Sequence, residues 1–207
     1  MYLPPAFRED RLDVLHAIIR DAGLATLVTL TDGGLVASHV PLLLDPEPAP
    51  YGTLIGHLAR PNPQGTSSQP DPEALAIFHG PEAYVTPNWY ATKRETGKVV
   101  PTWNYVAVHA YGPLRLFHDP ARLLEVVTRL TERHEAPRAE PWAVADAPPD
   151  FIAGMLRGIV GIEIPIARLE GKRKMSQNRP AADRAGVIAG LSAEGRDDVA
   201  ALVPTPD

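Results

Sequence analysis

The sequence predicts a mainly β, α+β fold: one β-barrel domain with peripheral helices. Three observations carry this. Six or seven short stretches rich in β-branched and alternating residues are separated by glycine and proline turns. No strand–helix–strand alternation runs along the chain, which argues against a doubly wound parallel sheet. There are 23 prolines in 207 residues, and prolines end strands and fix connections. Closing the strands into a barrel removes the edges that so many short antiparallel strands would expose.

The elements follow in order. Residues 8–22 read as a helix, because Leu12, Leu15, Ile18 and Ile19 share one face and Gly23 follows as a stop. Residues 25–31 read as a strand, with Asp32-Gly33-Gly34 as a hairpin turn. Residues 35–44 form a second strand, and Pro41 inside it marks an edge or a bulge. Residues 52–58 are a third strand, and the polar stretch 60–72 is a loop. Residues 74–79 and 83–86 are short strands around a Gly80-Pro81 turn, and 87–102 is a long irregular segment. Residues 104–118 form a long strand, kinked near Gly112-Pro113. The clearest helix is 120–135, with Asp119 as N-cap and Pro120 at its first position. Residues 150–156 form a short helix with Phe151, Ile152, Met155 and Leu156 facing inward. Residues 160–167 are a last strand, 171–180 a basic loop, and 181–191 and 193–202 short helices. Residues 1–191 are expected as the main domain and 192–207 as a helical tail.

Composition narrows the function classes. Hydrophobic residues make up 44% and charged residues 22%, which is ordinary globular usage. The absence of cysteine excludes disulfides, thiolate metal sites and a cysteine nucleophile. A net charge of −5 gives no global attraction to nucleic acid or to an anionic membrane. The N-terminus has no signal-peptide pattern and no apolar run suits a membrane span, so a cytoplasmic location is expected.

Four constellations could carry chemistry. Ser38-His39-Val40-Pro41 lies on a strand, so Ser38 and Val40 face one way and His39 and Leu42 the other. A ligand lying flat on the sheet could meet this pair; a histidine capping the barrel mouth is the plainer reading. The second is a strand end with His57, Arg60, Asn62 and Gln64. An arginine fork suits phosphate, and amides suit a polyol chain or a heterocycle edge, unless they satisfy only the loop's own backbone. The third is YVTPNWY at 84–90 together with VPTWNY at 100–105. Polar-tipped aromatics concentrate there, as at pockets and interfaces. The fourth is GKRKMSQNR at 171–179, either a phosphate clamp or a solvated basic turn.

Other templates fail: no GxSxG, HExxH, Walker A or GxGxxG occurs. The seven histidines show no metal-ligand spacing within one element, and no metal is expected. No helix pair reads as a helix-turn-helix with a basic recognition helix.

MYLPPAF, SHVPLLLD, GHLARPNPQ, YVTPNWY, VPTWNY and KMSQNR, in this order and spacing, resemble the PaiB-like family of FMN-binding negative transcriptional regulators. The resemblance runs from Met1 to about Leu191. It implies an FMN-binding split β-barrel of the pyridoxamine-phosphate-oxidase-like kind, acting as a homodimer with flavin at the interface. It places Ser38, His39 and Val40 on the strand passing the flavin ring, and His57, Arg60, Asn62 and Gln64 at the ribityl chain and phosphate. Trp103, Asn104 and Tyr105 would reach the flavin from the partner subunit, and Lys174, Ser176 and Gln177 form the late motif of the same site. The chain departs from the family pattern after Gln64, where GTSSQPDP stands in place of an aromatic residue. The family label allows DNA as a partner, although the charge balance does not support it. Two further functions share this scaffold: a flavin-dependent oxidoreductase with an indirect regulatory effect, and a haem-handling split barrel using a histidine such as His57.

Overall fold

The computed structural model describes residues 1–48, 50–66 and 73–205. They divide into two compact units. One contains Met1–Ile18, His79–Val108 and the chain from Glu170 onward. The other contains Ile19–Phe78 and His109–Leu169.

The chain begins with a two-residue strand, β1 (Arg8–Glu9), before helix α1 (Leu12–Asp21). The helix therefore starts later than its apolar face suggests. The Glu9 carboxylate accepts from the Arg11 backbone N at 3.1 Å and from Arg11 Nε at 2.8 Å. That turn frees Arg8 and Glu9 to pair with Lys172 and Gly171. Strands β2 (Ala25–Thr31) and β3 (Gly34–Val40) form the expected hairpin, with Gly34 at φ 108° in the turn. The stretch 35–44 is broken at Pro41, whose missing N–H cannot join a ladder. The chain leaves one sheet there and re-enters the other as β4 (Leu43–Asp45), which pairs with β5 (Thr53–Ala59).

Strand β6 (Ala74–Val85) runs without interruption through Gly80-Pro81. No turn forms there because Gly80 is used for close approach: a Cβ on it would lie 2.9 Å from Val106 Cβ. The segment expected to be irregular folds into a 3-10 turn (Pro87–Trp89) and helix α2 (Ala91–Thr96). The buried Asp183 accepts from Thr92 N at 2.9 Å and from its hydroxyl at 3.0 Å, so a distant side chain serves this helix start. The stretch expected as one kinked strand is two, β7 (Thr102–Gly112) and β8 (Arg115–Phe117): the chain breaks at Gly112-Pro113 and its two parts join different sheets.

Helix α3 (Pro120–Glu135) has its predicted bounds, and the Asp119 carboxylate accepts from Arg122 N at 2.8 Å. Helix α4 (Pro149–Arg157) differs from expectation in its packing. Phe151 and Met155 are 58% and 57% exposed rather than inward. Strand β9 (Ile159–Pro165) is followed by β10 (Arg168–Lys174), so much of the expected basic loop is strand. Helices α5 (Ala181–Ala193) and α6 (Asp197–Ala200) complete the chain.

Among the described residues ten strands form two sheets, of order β1-β10-β7-β6-β2-β3 and β4-β5-β9-β8. Neither sheet closes on itself among the described residues. Closure into a barrel, as the sequence suggested, is therefore not seen; the break at Pro41 divides the strands between two sheets. In the first unit, Val85, Tyr90, Met175, Val187 and Leu191 form a core. Gly186 and Gly190 lie against Trp89, where any Cβ would collide with its carbonyl or ring. In the second unit, Leu43, Ile55, Val126 and Leu130 seat α3 on the four-stranded sheet. Burying such a side chain contributes about 1.5–3 kcal/mol. Arg133 adds a clamp, donating to the carbonyls of Leu42 and Ala22 at 3.1 Å each.

Candidate functional site

The loop after β5 is built onto β2 and β3 by its own amides. Asn62 Oδ1 accepts from Gln64 N at 2.9 Å, capping the 3-10 turn Pro63–Gly65. Asn62 Nδ2 donates to Ser38 Oγ at 2.9 Å. Gln64 is fully buried. Its Nε2 lies 3.0 Å from the Leu27 carbonyl and 3.1 Å from both Thr29 Oγ1 and the Val36 carbonyl. Because two of these partners are carbonyls, only the amide N–H groups can face them. Gln64 thus acts on the site by positioning the loop. Ser38 and the buried Val40 share one face of β3; His39 is exposed on the other, 3.2 Å from Thr26 Oγ1. The departure from the family pattern at residues 67–72 lies outside the described residues, whereas Gly65 and Thr66 belong to the turn.

His57 lies on the opposite side of β5 from the buried Leu58. It lines a cavity of 270 Å³ with Val127, Trp142, Phe151, Met155 and Leu156. The walls are apolar, and His57 Nδ1 is buried without a hydrogen-bond partner. Burial lowers the imidazole pKa below its ordinary 6.5, so the ring is neutral at pH 7. Trp142 is 48% exposed, so three large apolar side chains face solvent around one groove.

Arg60 Nε donates to the Arg157 carbonyl at 2.7 Å, and one Nη to the Ile159 carbonyl at 2.8 Å. These bonds fix the guanidinium and leave its other Nη unused. Arg60, His118 and Arg157 line a second cavity, of 330 Å³, together with Leu123, Ala153 and Leu156. None of these three basic side chains forms an ion pair among the described residues. Leu156 lines both cavities, so the apolar groove and the cationic one adjoin. Among the described residues no acid lines either of them.

The other unit gathers the late motif. Asn104 is fully buried; its Oδ1 accepts from Ser176 Oγ at 3.0 Å, and its Nδ2 has no partner. Ser176 sits at φ 58°, a left-handed conformation that this bond helps to hold. Lys174 donates to Thr102 Oγ1 and to the Trp103 carbonyl. Its pKa is pushed down by burial first, and then by Lys172 and Arg179. Gln177 accepts from Met175 N at 2.6 Å and donates to the Arg173 carbonyl, closing the turn. Trp103 is 53% exposed and meets Tyr84 edge-on, with ring centroids 6.0 Å apart.

The residues singled out in the sequence thus fall into three groups. Ser38, Asn62 and Gln64 are hydrogen-bonded together. His57 and Arg60 face the adjoining cavities. Trp103, Asn104, Lys174, Ser176 and Gln177 form one polar cluster. Sequence reasoning missed His118, Trp142 and Arg157 and turned Phe151 and Met155 inward. The one available signal was Trp142, a large aromatic side chain in a proline- and alanine-rich connection. Among the described residues no three His, Asp or Glu side chains converge as a metal set, and no helix is long and apolar enough to cross a membrane.

Comparisons with known proteins bear on the family and the fold. Residues 1–168 match the family described as "Putative FMN-binding domain". An uncharacterized protein of Emericella nidulans is 38% identical over 232 positions, covering 95% of this chain and 92% of its own. The protease synthase and sporulation protein PAI 2 of Bacillus subtilis is 32% identical, covering 94% of this chain and 90% of its own. The crystal structure of a conserved hypothetical protein of Mycobacterium tuberculosis superposes with a TM-score of 0.59 at 12% identity, covering 87% and 94% of the two chains. That likeness is one of fold. The family match and the full-length similarity to PAI 2 lead to one conclusion: the chain belongs to the PaiB-like family of FMN-binding domains.

Proposed function

We propose that this protein binds FMN on a split-barrel scaffold, as a homodimer, and works as a PaiB-type regulator. The observation that carries the reading is the adjoining pair of cavities at Leu156, one apolar and one cationic. FMN has this same division: a planar, largely apolar ring system and a phosphate close to a dianion. A buried phosphate needs cations or N–H donors. Arg60, His118 and Arg157 supply them without competition from an acid. Trp142, Phe151 and Met155 offer the ring apolar cover, and His57 Nδ1 is a polar atom awaiting a partner.

Asn62, Ser38 and Gln64 hold the loop that carries Arg60. In the dimer, Trp103 approaches the flavin from the partner subunit, which accounts for an exposed tryptophan; Asn104 is fully buried and acts by holding Ser176. Bound flavin would supply electron-transfer chemistry. The chain's own residues bind it, exclude water from its ring and present a neutral imidazole beside it. The regulatory part of the reading rests on the family, and a chain of net charge −5 gives DNA no general attraction.

Titration of the purified protein with FMN, followed by flavin fluorescence, tests the reading. The wild type saturates at about one FMN per chain and binds riboflavin more weakly. Arg60→Ala weakens FMN by about 1.5–3 kcal/mol, the range for a hydrogen bond to a charged group, or roughly ten- to 150-fold. Equal affinity of wild type and variant for FMN would remove the phosphate from this cavity.

A further inference from the structure

We propose that the cavity between α3 and α4 binds an organic cation, an ammonium group carried on an apolar body. This cavity has a volume of 530 Å³, within the usual range for small-molecule sites. Leu124, Val144, Pro149, Ile152 and Leu156 make its apolar walls. Among the described residues, the only polar side chains lining it are Thr128 and Glu132. These two and Leu124 are spaced four residues apart on α3, so they stand in one row along the helix.

The charge of the occupant follows from the pairing of α3's other ionic groups. Arg122 pairs with Glu163, and Arg129 pairs with Asp45 and Glu125. Glu135 pairs with Arg138, and Arg133 is taken up by backbone carbonyls. Glu132 alone among the glutamates of this helix has no ion pair or side-chain hydrogen bond among the described residues. It lies in the last turn of α3, where the helix dipole adds negative potential. An ammonium has three donors and no acceptor, which suits two carboxylate oxygens and a hydroxyl. Glu132 is exposed at the rim of the cavity, so a neutral ligand leaves it hydrated, an ammonium gains its charge, and an anion is repelled. Val144, Ile152 and Leu156 also line the apolar cavity beside His57, so the two spaces adjoin; no basic side chain lines this one among the described residues, and its test uses the flavin-free protein.

Isothermal titration calorimetry of the full chain with 4-phenylbutylamine, and with its neutral counterpart 4-phenylbutanol, tests the proposal. The amine is expected to bind saturably at about one per chain, about two- to five-fold tighter than the alcohol, which is the range of an exposed ion pair. Glu132→Gln, at an exposed and unpaired position, should leave the thermal melt unchanged. It should remove most of the amine's advantage and leave alcohol binding as it was. Ala145→Phe, which fills the groove, should block both. An alcohol that binds as tightly as the amine, or a Glu132→Gln variant that binds the amine as the wild type does, would overturn the proposal. So would heats that never saturate. If the wild type binds no amine and Ile152→Glu converts a dimer to a monomer, the groove belongs to a second copy and the proposal fails.

Discussion

Gln64→Met keeps the volume of a fully buried side chain and deletes its amide. Two N–H groups now serve three acceptors on β2 and β3, at 3.0, 3.1 and 3.1 Å. Two hydrogen bonds at about 1 kcal/mol each are lost, and the acceptors left dry add about 1–3 kcal/mol. The variant also loses Gln64 Oε1, a buried oxygen with no partner, which returns about 1 kcal/mol. The net cost is about 2–4 kcal/mol. Gln64→Glu should cost more, because it buries a carboxylate against two carbonyls, with only the Thr29 hydroxyl able to donate to it. Urea unfolding, followed by circular dichroism and tryptophan fluorescence, measures both variants. Loss of FMN retention should accompany loss of stability, since this side chain holds the loop carrying Arg60. A Gln64→Met variant within about 0.5 kcal/mol of wild type would refute the bonding described, since that is the noise level of surface changes.

Ser176 gives an inverted pair of substitutions. Ala and Gly both lose the bond to Asn104, but Gly also relieves the left-handed backbone, so Ser176→Gly should be about 1 kcal/mol more stable than Ser176→Ala. Denaturant midpoints decide this, and equal midpoints would mean that no strain is stored there. His57 sets a pH dependence. Its folded pKa lies below 6.5 through burial, so the unfolded chain takes up the proton first. The stability contributed by the neutral ring is present above about pH 6.5 and declines as pH falls below it. The difference between wild type and His57→Gln, measured by urea unfolding across pH, should show that slope; a flat difference would place His57 in water. Arg60→Lys should recover little of the FMN affinity lost in Arg60→Ala, because an ammonium cannot hold the two carbonyls and a ligand in one plane. Full recovery in the flavin fluorescence titration would show that charge alone matters.

Much of this fold was legible wherever a local signal decided the structure. Strand β2 and helix α3 have their expected bounds: a β-branched run before Asp-Gly-Gly fixes the first, and Asp119-Pro120 with an apolar stripe fixes the second. Reading failed where distant partners decide. Gly80-Pro81 looks like a turn until Val106 comes close enough to require a glycine. Helix α2 is served by Asp183, 91 residues away in the chain. The inward face assigned to α4 rested on periodicity, which finds an apolar stripe but cannot say whether anything covers it. Within the candidate site, the motifs carried the residue identities. They did not reveal that Gln64 points into the sheet, or that His118 and Arg157 stand beside Arg60. Those juxtapositions come from chain crossings that no local pattern records.

The central claim is that the chain holds FMN, and a visible absorption spectrum tests it most directly. Purified protein is mixed with FMN, passed through a desalting column and scanned. The account predicts flavin bands retained at about one per chain, and lost in a variant carrying both Arg60→Ala and Arg157→Ala. A protein that emerges colourless, with its fold intact by circular dichroism, would contradict it.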